Sequence, residues 1–128
     1  DLDGRSPYSF EYGYQLTTRL LAERPDVTAI FAVADVMAIG ALKAALDRGL
    51  RVPQDLSIVG FDGIPVGLYV HPTLTTLVQP ARQIAELTCQ ILFDNMAGAP
   101  ARQELLKGEL RVGGTAGAPR TDEFAGTR

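Results

Sequence analysis

Two apolar runs, each stopped by an aspartate, constrain this chain more than any other feature: Thr28-Ala-Ile-Phe-Ala-Val-Ala-Asp35 and Leu56-Ser-Ile-Val-Gly-Phe-Asp62. Between them lies a segment of helix length in which Val36, Met37, Ile39, Leu42, Ala45 and Leu46 recur at roughly helical spacing. Asp35 stands where it can cap the first turn, and Gly49 where a left-handed residue ends a helix. Arg51-Val-Pro-Gln-Asp55 then turns the chain into the second run, so the whole reads as a βαβ unit with the usual right-handed crossover. Parallel strands joined in this way bring both carboxylates to the carboxyl edge of one sheet, where open α/β folds bind small ligands.

The flanking segments extend the same pattern. Phe10 to Glu23 reads as a helix with Leu16, Leu20 and Leu21 on its apolar stripe, ended by Pro25. Val27 to Ala34 is unbroken in its apolar character, as expected of a strand buried on both faces. The order α-β-α-β favours a doubly wound parallel sheet. Gly63 to Thr73 is a loop, Leu74 to Val78 a short strand, and Pro80 opens a helix, Ala81 to Met96, with Ile84, Leu87, Ile91 and Leu92 facing inward. Gly98-Ala-Pro100 closes that helix, and Glu104 to Val112 can form a last strand. Gly113-Gly-Thr-Ala-Gly117 lacks the Gly-Lys-Ser/Thr ending of a phosphate loop, so residues 113–128 read as a flexible tail.

Three motifs occur in a specific order: Val33-Ala-Asp-Val-Met-Ala-Ile-Gly40, Gly49-Leu-Arg-Val-Pro-Gln-Asp-Leu-Ser-Ile-Val-Gly-Phe-Asp62, and Pro72-Thr-Leu-Thr-Thr-Leu-Val-Gln-Pro80. Together they resemble the effector-binding domain of LacI/GalR-type bacterial transcription regulators, from about Tyr8 to about Arg111. The resemblance implies a periplasmic-binding-protein-like fold of two lobes hinged around a ligand. Residues 1–112 are then a partial effector-binding domain: 1–79 in the C-terminal lobe, and 80–108 as a helix and strand crossing into the other lobe. It also implies a small-molecule effector, a sugar or related metabolite, and a cytoplasmic homodimer with Ile39, Tyr69 and Val70 at its interface. DNA binding belongs to a helix-turn-helix upstream of Asp1, and neither enzymatic activity nor a cofactor is implied. A periplasmic solute-binding protein of a sugar transporter is the alternative, because it shares the fold and the Gly60-Phe-Asp-Gly63 turn; the Val-Pro-Gln-Asp and Leu-Thr-Thr segments lean toward the regulator.

Composition narrows the classes further. With 128 residues, 46% hydrophobic and a formal charge of −3, the chain can bury a core but carries no basic stripe of the kind that neutralises phosphates. No apolar stretch approaches the ~20 residues of a membrane span. Cys89, among Ile84, Leu87, Ile91 and Leu92, reads as a buried inert thiol, and with His71 the only histidine there is no metal-ligand pattern.

Asp62 is the leading ligand candidate, since a carboxylate at a strand end accepts two hydroxyl or amine hydrogen bonds in fixed geometry; the alternative is a turn aspartate bonded to local backbone beside Gly63. Asp35 reads first as a helix cap and second as a ligand contact. Ala34 replaces the asparagine that many members of the resembled family place there, which removes one polar contact and leaves room for a bulkier or less polar effector. Tyr8, or Phe10 in a shifted register, matches the aromatic that stacks on the ligand in that family, and either also suits packing at the start of the helix. Tyr12 and Tyr14 read as packing residues, and Thr75 and Thr76 as β-branched strand or hinge residues. His71 has no nucleophile at any motif spacing.

Overall fold

The computed structural model describes residues 8–119; most of the loop expected over residues 1–9 from the breakers Gly4 and Pro7, residues 1–7, and the end of the tail, 120–128, lie outside the described residues. The elements are α1 (Phe10–Glu23), β1 (Ala29–Phe31), α2 (Asp35–Asp47), β2 (Ser57–Asp62), a 3-10 turn (Pro65–Leu68), β3 (Thr75–Val78), α3 (Ala81–Met96) and β4 (Glu109–Arg111). The sheet runs β1-β2-β3-β4, with β1, β2 and β3 parallel and β4 antiparallel to β3, so it is mixed rather than wholly parallel.

Local chemistry sets the helix limits. The Ser9 side chain accepts a hydrogen bond from the Tyr12 amide at 3.1 Å, satisfying one of the open donors of α1. At the other end of α2, Gly49 takes φ 76°, and the Leu50 amide reaches back to the Ala45 carbonyl at 3.1 Å. The two helices cross with almost no side chain between them. A Cβ on Gly13 would meet the backbone of Met37, and one on Gly40 would meet the Phe10 carbonyl and the Tyr14 amide nitrogen. Behind this contact lies the core of Leu21, Ala38, Leu42, Leu56, Ile58 and Leu74.

Three expectations need correction. The first strand is shorter than Val27 to Ala34, and it is not buried on both faces: Phe31 is 63% exposed and Val33 56%. Its physical reason is the alternation of a strand's side chains between the two faces of the sheet: Ile30 and Ala32 lie against the core, while Phe31 and Val33 point to the other face, which leaves them exposed. Second, Cys89 is exposed rather than buried, on a helix α3 that contains no buried residue, as expected of a crossover helix parted from the lobe whose sheet it would cover. Ile84, Leu87 and Ile91 share a groove with Glu104 and Leu106 of the extended segment that follows α3. Third, residues 113–117 are not a loose tail. Thr115 is fully buried; its hydroxyl donates to the Ile58 carbonyl at 2.7 Å and accepts from the Thr75 amide at 2.9 Å. The Ile58 amide in turn donates to the Thr115 carbonyl at 2.7 Å, so this segment closes the amino-terminal edge of β2 and β3.

Candidate functional site

At the opposite, carboxyl-terminal edge, β2 ends at Asp62, paired in register with Val78 of β3. The chain leaves the sheet there through two residues of positive φ, Asp62 at 120° and Gly63 at 79°. Glycine suits position 63 twice over, since it tolerates that conformation and a Cβ would lie 2.7 Å from the Val78 side chain. An aspartate at φ 120° is strained, and such strain persists only where the surroundings hold it.

Two sets of bonds hold it. The Gln79 side-chain amide, at the end of β3, donates to Asp62 Oδ1 at 2.7 Å, and the Gln79 backbone amide donates to the Asp62 carbonyl at 3.2 Å. The neighbouring strand thus grips one oxygen of Asp62, and Oδ2 accepts no hydrogen bond from the described residues. Immediately after it, the amides of Gly63 and Ile64 both donate to Asp35 Oδ2, each at 2.8 Å. Thr76 Oγ1 donates to Asp35 Oδ1 at 2.5 Å. Asp35 is fully buried, and its Oδ1 lies where a Cβ of residue 60 would be, which explains the glycine at Gly60.

Asp35 therefore does not cap α2. The cap position is Ala34, extended at φ −150° and without a side-chain bond, while the Asp35 carboxylate turns away to the β2 turn and β3. Asp35 lies buried against Gly60, with both carboxylate oxygens taken by the Gly63, Ile64 and Thr76 donors. Ala34 is buried at 6% exposure, its carbonyl accepting from the Met37 and Ala38 amides. Tyr8 is 63% exposed just ahead of the Ser9 cap.

The other named residues lie elsewhere. Ile39 is half-buried in the groove between α1 and α2 beside Phe10 and Tyr14, and the Tyr14 hydroxyl bonds Asp47 at 3.1 Å. Tyr69 is 85% exposed after the 3-10 turn, and Val70 packs partly against the core. Among the described residues no group of histidine, cysteine and carboxylates suits a metal ion, and no helix is long and apolar enough to cross a membrane. Gln79 escaped the sequence reading, although its place in Leu77-Val-Gln79, next to a strand end parallel to that of Asp62, was the available signal. The apolar groove of about 340 Å³ between α1 and the β1 edge, lined by Leu16, Leu20, Phe31 and Met37, includes neither aspartate.

Comparison with known proteins places this chain in a family. The model of the periplasmic binding protein-like domain matches residues 3–116. The transcriptional regulator MalR of Clostridium butyricum is 47% identical over 97 residues, 73% of this chain and 29% of that protein. The chain belongs to the LacI/GalR-type regulator family. A LacI-family regulator from Arthrobacter, solved in complex with lactose, superposes with a TM-score of 0.73 at 30% identity, covering 85% of this chain and 42% of the other. The dimeric Lac repressor superposes at 0.79 with 33% identity, covering 88% and 42%. This chain spans less than a third of MalR and less than half of each solved chain.

Proposed function

We propose that this chain forms one wall of a small-molecule effector site in a DNA-binding transcriptional regulator, and that Asp62 is its principal ligand contact. The observation carrying this reading is the Asp62 geometry: a strained carboxylate at the carboxyl edge of the sheet, with one oxygen held by Gln79 and the other open. Such a group accepts hydrogen bonds from a polyol, and the lactose in the Arthrobacter relative makes a sugar the first class to test. Ala34 offers no polar group here, while Tyr8, exposed at the head of α1, supplies an aromatic face if the lobes bring it to the ligand.

In this reading a second lobe closes over the edge when effector binds, and the difference in effector affinity between open and closed states shifts DNA-competent populations. Binding rather than turnover is the task, with DNA contacted by a helix-turn-helix outside this chain, in a cytoplasmic homodimer. Tyr69, exposed beside Val70, and Ile39 on α2 form the proposed two-fold contact. A thermal-shift screen of lactose, cellobiose and ribose against the full-length protein tests the proposal. A bound effector at ~100 times its Kd stabilises by about 2.7 kcal/mol and changes operator affinity in gel-shift assays. A ligand that stabilises the protein without altering operator binding would favour a solute-binding role instead.

A further inference from the structure

We infer that Asp35 is a positioning residue that sets the orientation of Asp62 through the backbone, an inference that rests on Asp62 being the ligand contact. Its carboxylate receives the two amides that directly follow Asp62, at the point where the chain turns out of the sheet with φ 120° and 79°. The same carboxylate receives the hydroxyl of Thr76, fully buried on β3 three residues before Gln79, which grips Asp62 Oδ1. One buried group thereby fixes both the residue that faces ligand and the strand that carries its partner.

The arrangement closes a ring: Asp62 to Gln79, along β3 to Thr76, across to Asp35, and back through Gly63 and Ile64. Gly60 keeps the interior of this ring free for the carboxylate. A neutral side chain without acceptors at position 35 leaves two amides with no acceptor, and the turn then relaxes toward the extended conformation that a strand-end aspartate prefers. Asparagine keeps an acceptor for those amides and presents an NH₂ to Thr76 Oγ1, whose lone pairs can accept it. The positioning role therefore predicts a graded series, with asparagine close to wild type, Thr76→Val intermediate and Asp35→Leu most affected.

The experiment uses the full-length protein with Asp35→Asn, Asp35→Leu, Thr76→Val and Thr76→Ser, each also combined with Asp62→Ala. Lactose, cellobiose and ribose are the calorimetric probes, and crystal structures read the φ of residue 62. Thr76→Val should weaken binding roughly three- to tenfold, the loss of one hydrogen bond, Thr76→Ser should restore it, and the loss should vanish in the Asp62→Ala background. In Asp35→Leu the Asp62 φ should leave the positive region, whereas Thr76→Val keeps the Gly63 and Ile64 bonds to Asp35 and should keep it. An equal affinity loss with and without Asp62, or an unchanged φ in Asp35→Leu, overturns the inference; should Asp35→Leu fail to fold, the smaller Asp35→Ala takes its place. If wild type binds none of the sugars, the sugar reading of the site falls, while the φ of residue 62 in Asp35→Leu still decides the positioning role.

Discussion

The carboxyl edge of β2 and β3 and the outer face of α3 are built from comparably clear sequence signals, yet only the first is packed. Both carboxylate oxygens of Asp35 have donors, Gly60 and Gly63 clear the required space, and Thr76 is sealed from solvent. Along α3, a helix whose bounds match the sequence expectation, Leu92, Phe93 and Met96 are 55%, 65% and 75% exposed. Periodicity and end signals specify that a helix forms; whether its apolar face is buried depends on what is laid against it.

The largest effect should come from the packed region. Asp35→Ala leaves the Gly63 and Ile64 amides and the Thr76 hydroxyl without an acceptor and should cost roughly 2–4 kcal/mol in urea unfolding of the full-length protein. Gly40→Ala, which drives a methyl into the Phe10 carbonyl, should cost about 1–3 kcal/mol in the same assay. On the other side of the comparison, Leu92→Ala should change the stability of this 128-residue chain by less than about 0.5 kcal/mol. In the full-length protein the same substitution should cost roughly 2 kcal/mol or more, if a second lobe covers α3. Equal costs in the two settings would mean that α3 stays uncovered and that the contrast is intrinsic.

The smallest expected effect lies on the surface. A hydrogen bond from Lys43, and then one from the Tyr14 hydroxyl, hold the Asp47 carboxyl below its ordinary value. A depressed carboxyl stabilises the fold above its unfolded-state value and loses that contribution as pH falls through its lower folded-state value. Stability should therefore drop slightly more between about pH 5 and pH 3 in wild type than in Asp47→Asn, and added salt should shrink the difference because the pair is exposed.

Much of this architecture was legible from residue order. The Pro25 and Gly49 stops and the Pro80 start are local signals with local causes, and the end of α1, the end of α2 and the start of α3 follow from them almost to the residue. Burial was not local. Val27 to Ala34 resembles a central strand because its composition is that of one, and only the pairing order reveals β1 as an edge here. The Gly113–Gly117 stretch looks disordered by composition, yet one threonine hydroxyl between two strand ends orders it, a contact spanning 40 residues to Thr75 and 57 to Ile58. Asp35 was found as a chemical group but not in its role, because capping is a nearest-neighbour rule and its three donors come from 28, 29 and 41 residues away. Gln79 was missed for the same reason: its importance arises only when β3 lies parallel beside β2.

The central claim is that Asp62 is held in a strained conformation for the sake of a ligand, and one substitution separates that from a merely structural turn. Glycine relieves a positive φ while deleting the carboxylate. Effector affinity and unfolding stability should therefore be measured on Asp62→Gly in the full-length protein, by calorimetry and urea titration. The account predicts affinity weaker by roughly 1.5–3 kcal/mol with stability unchanged or higher. Undiminished affinity accompanied by lost stability would contradict it, leaving Asp62 as a fold element and its Gln79 bond as ordinary strand-end packing.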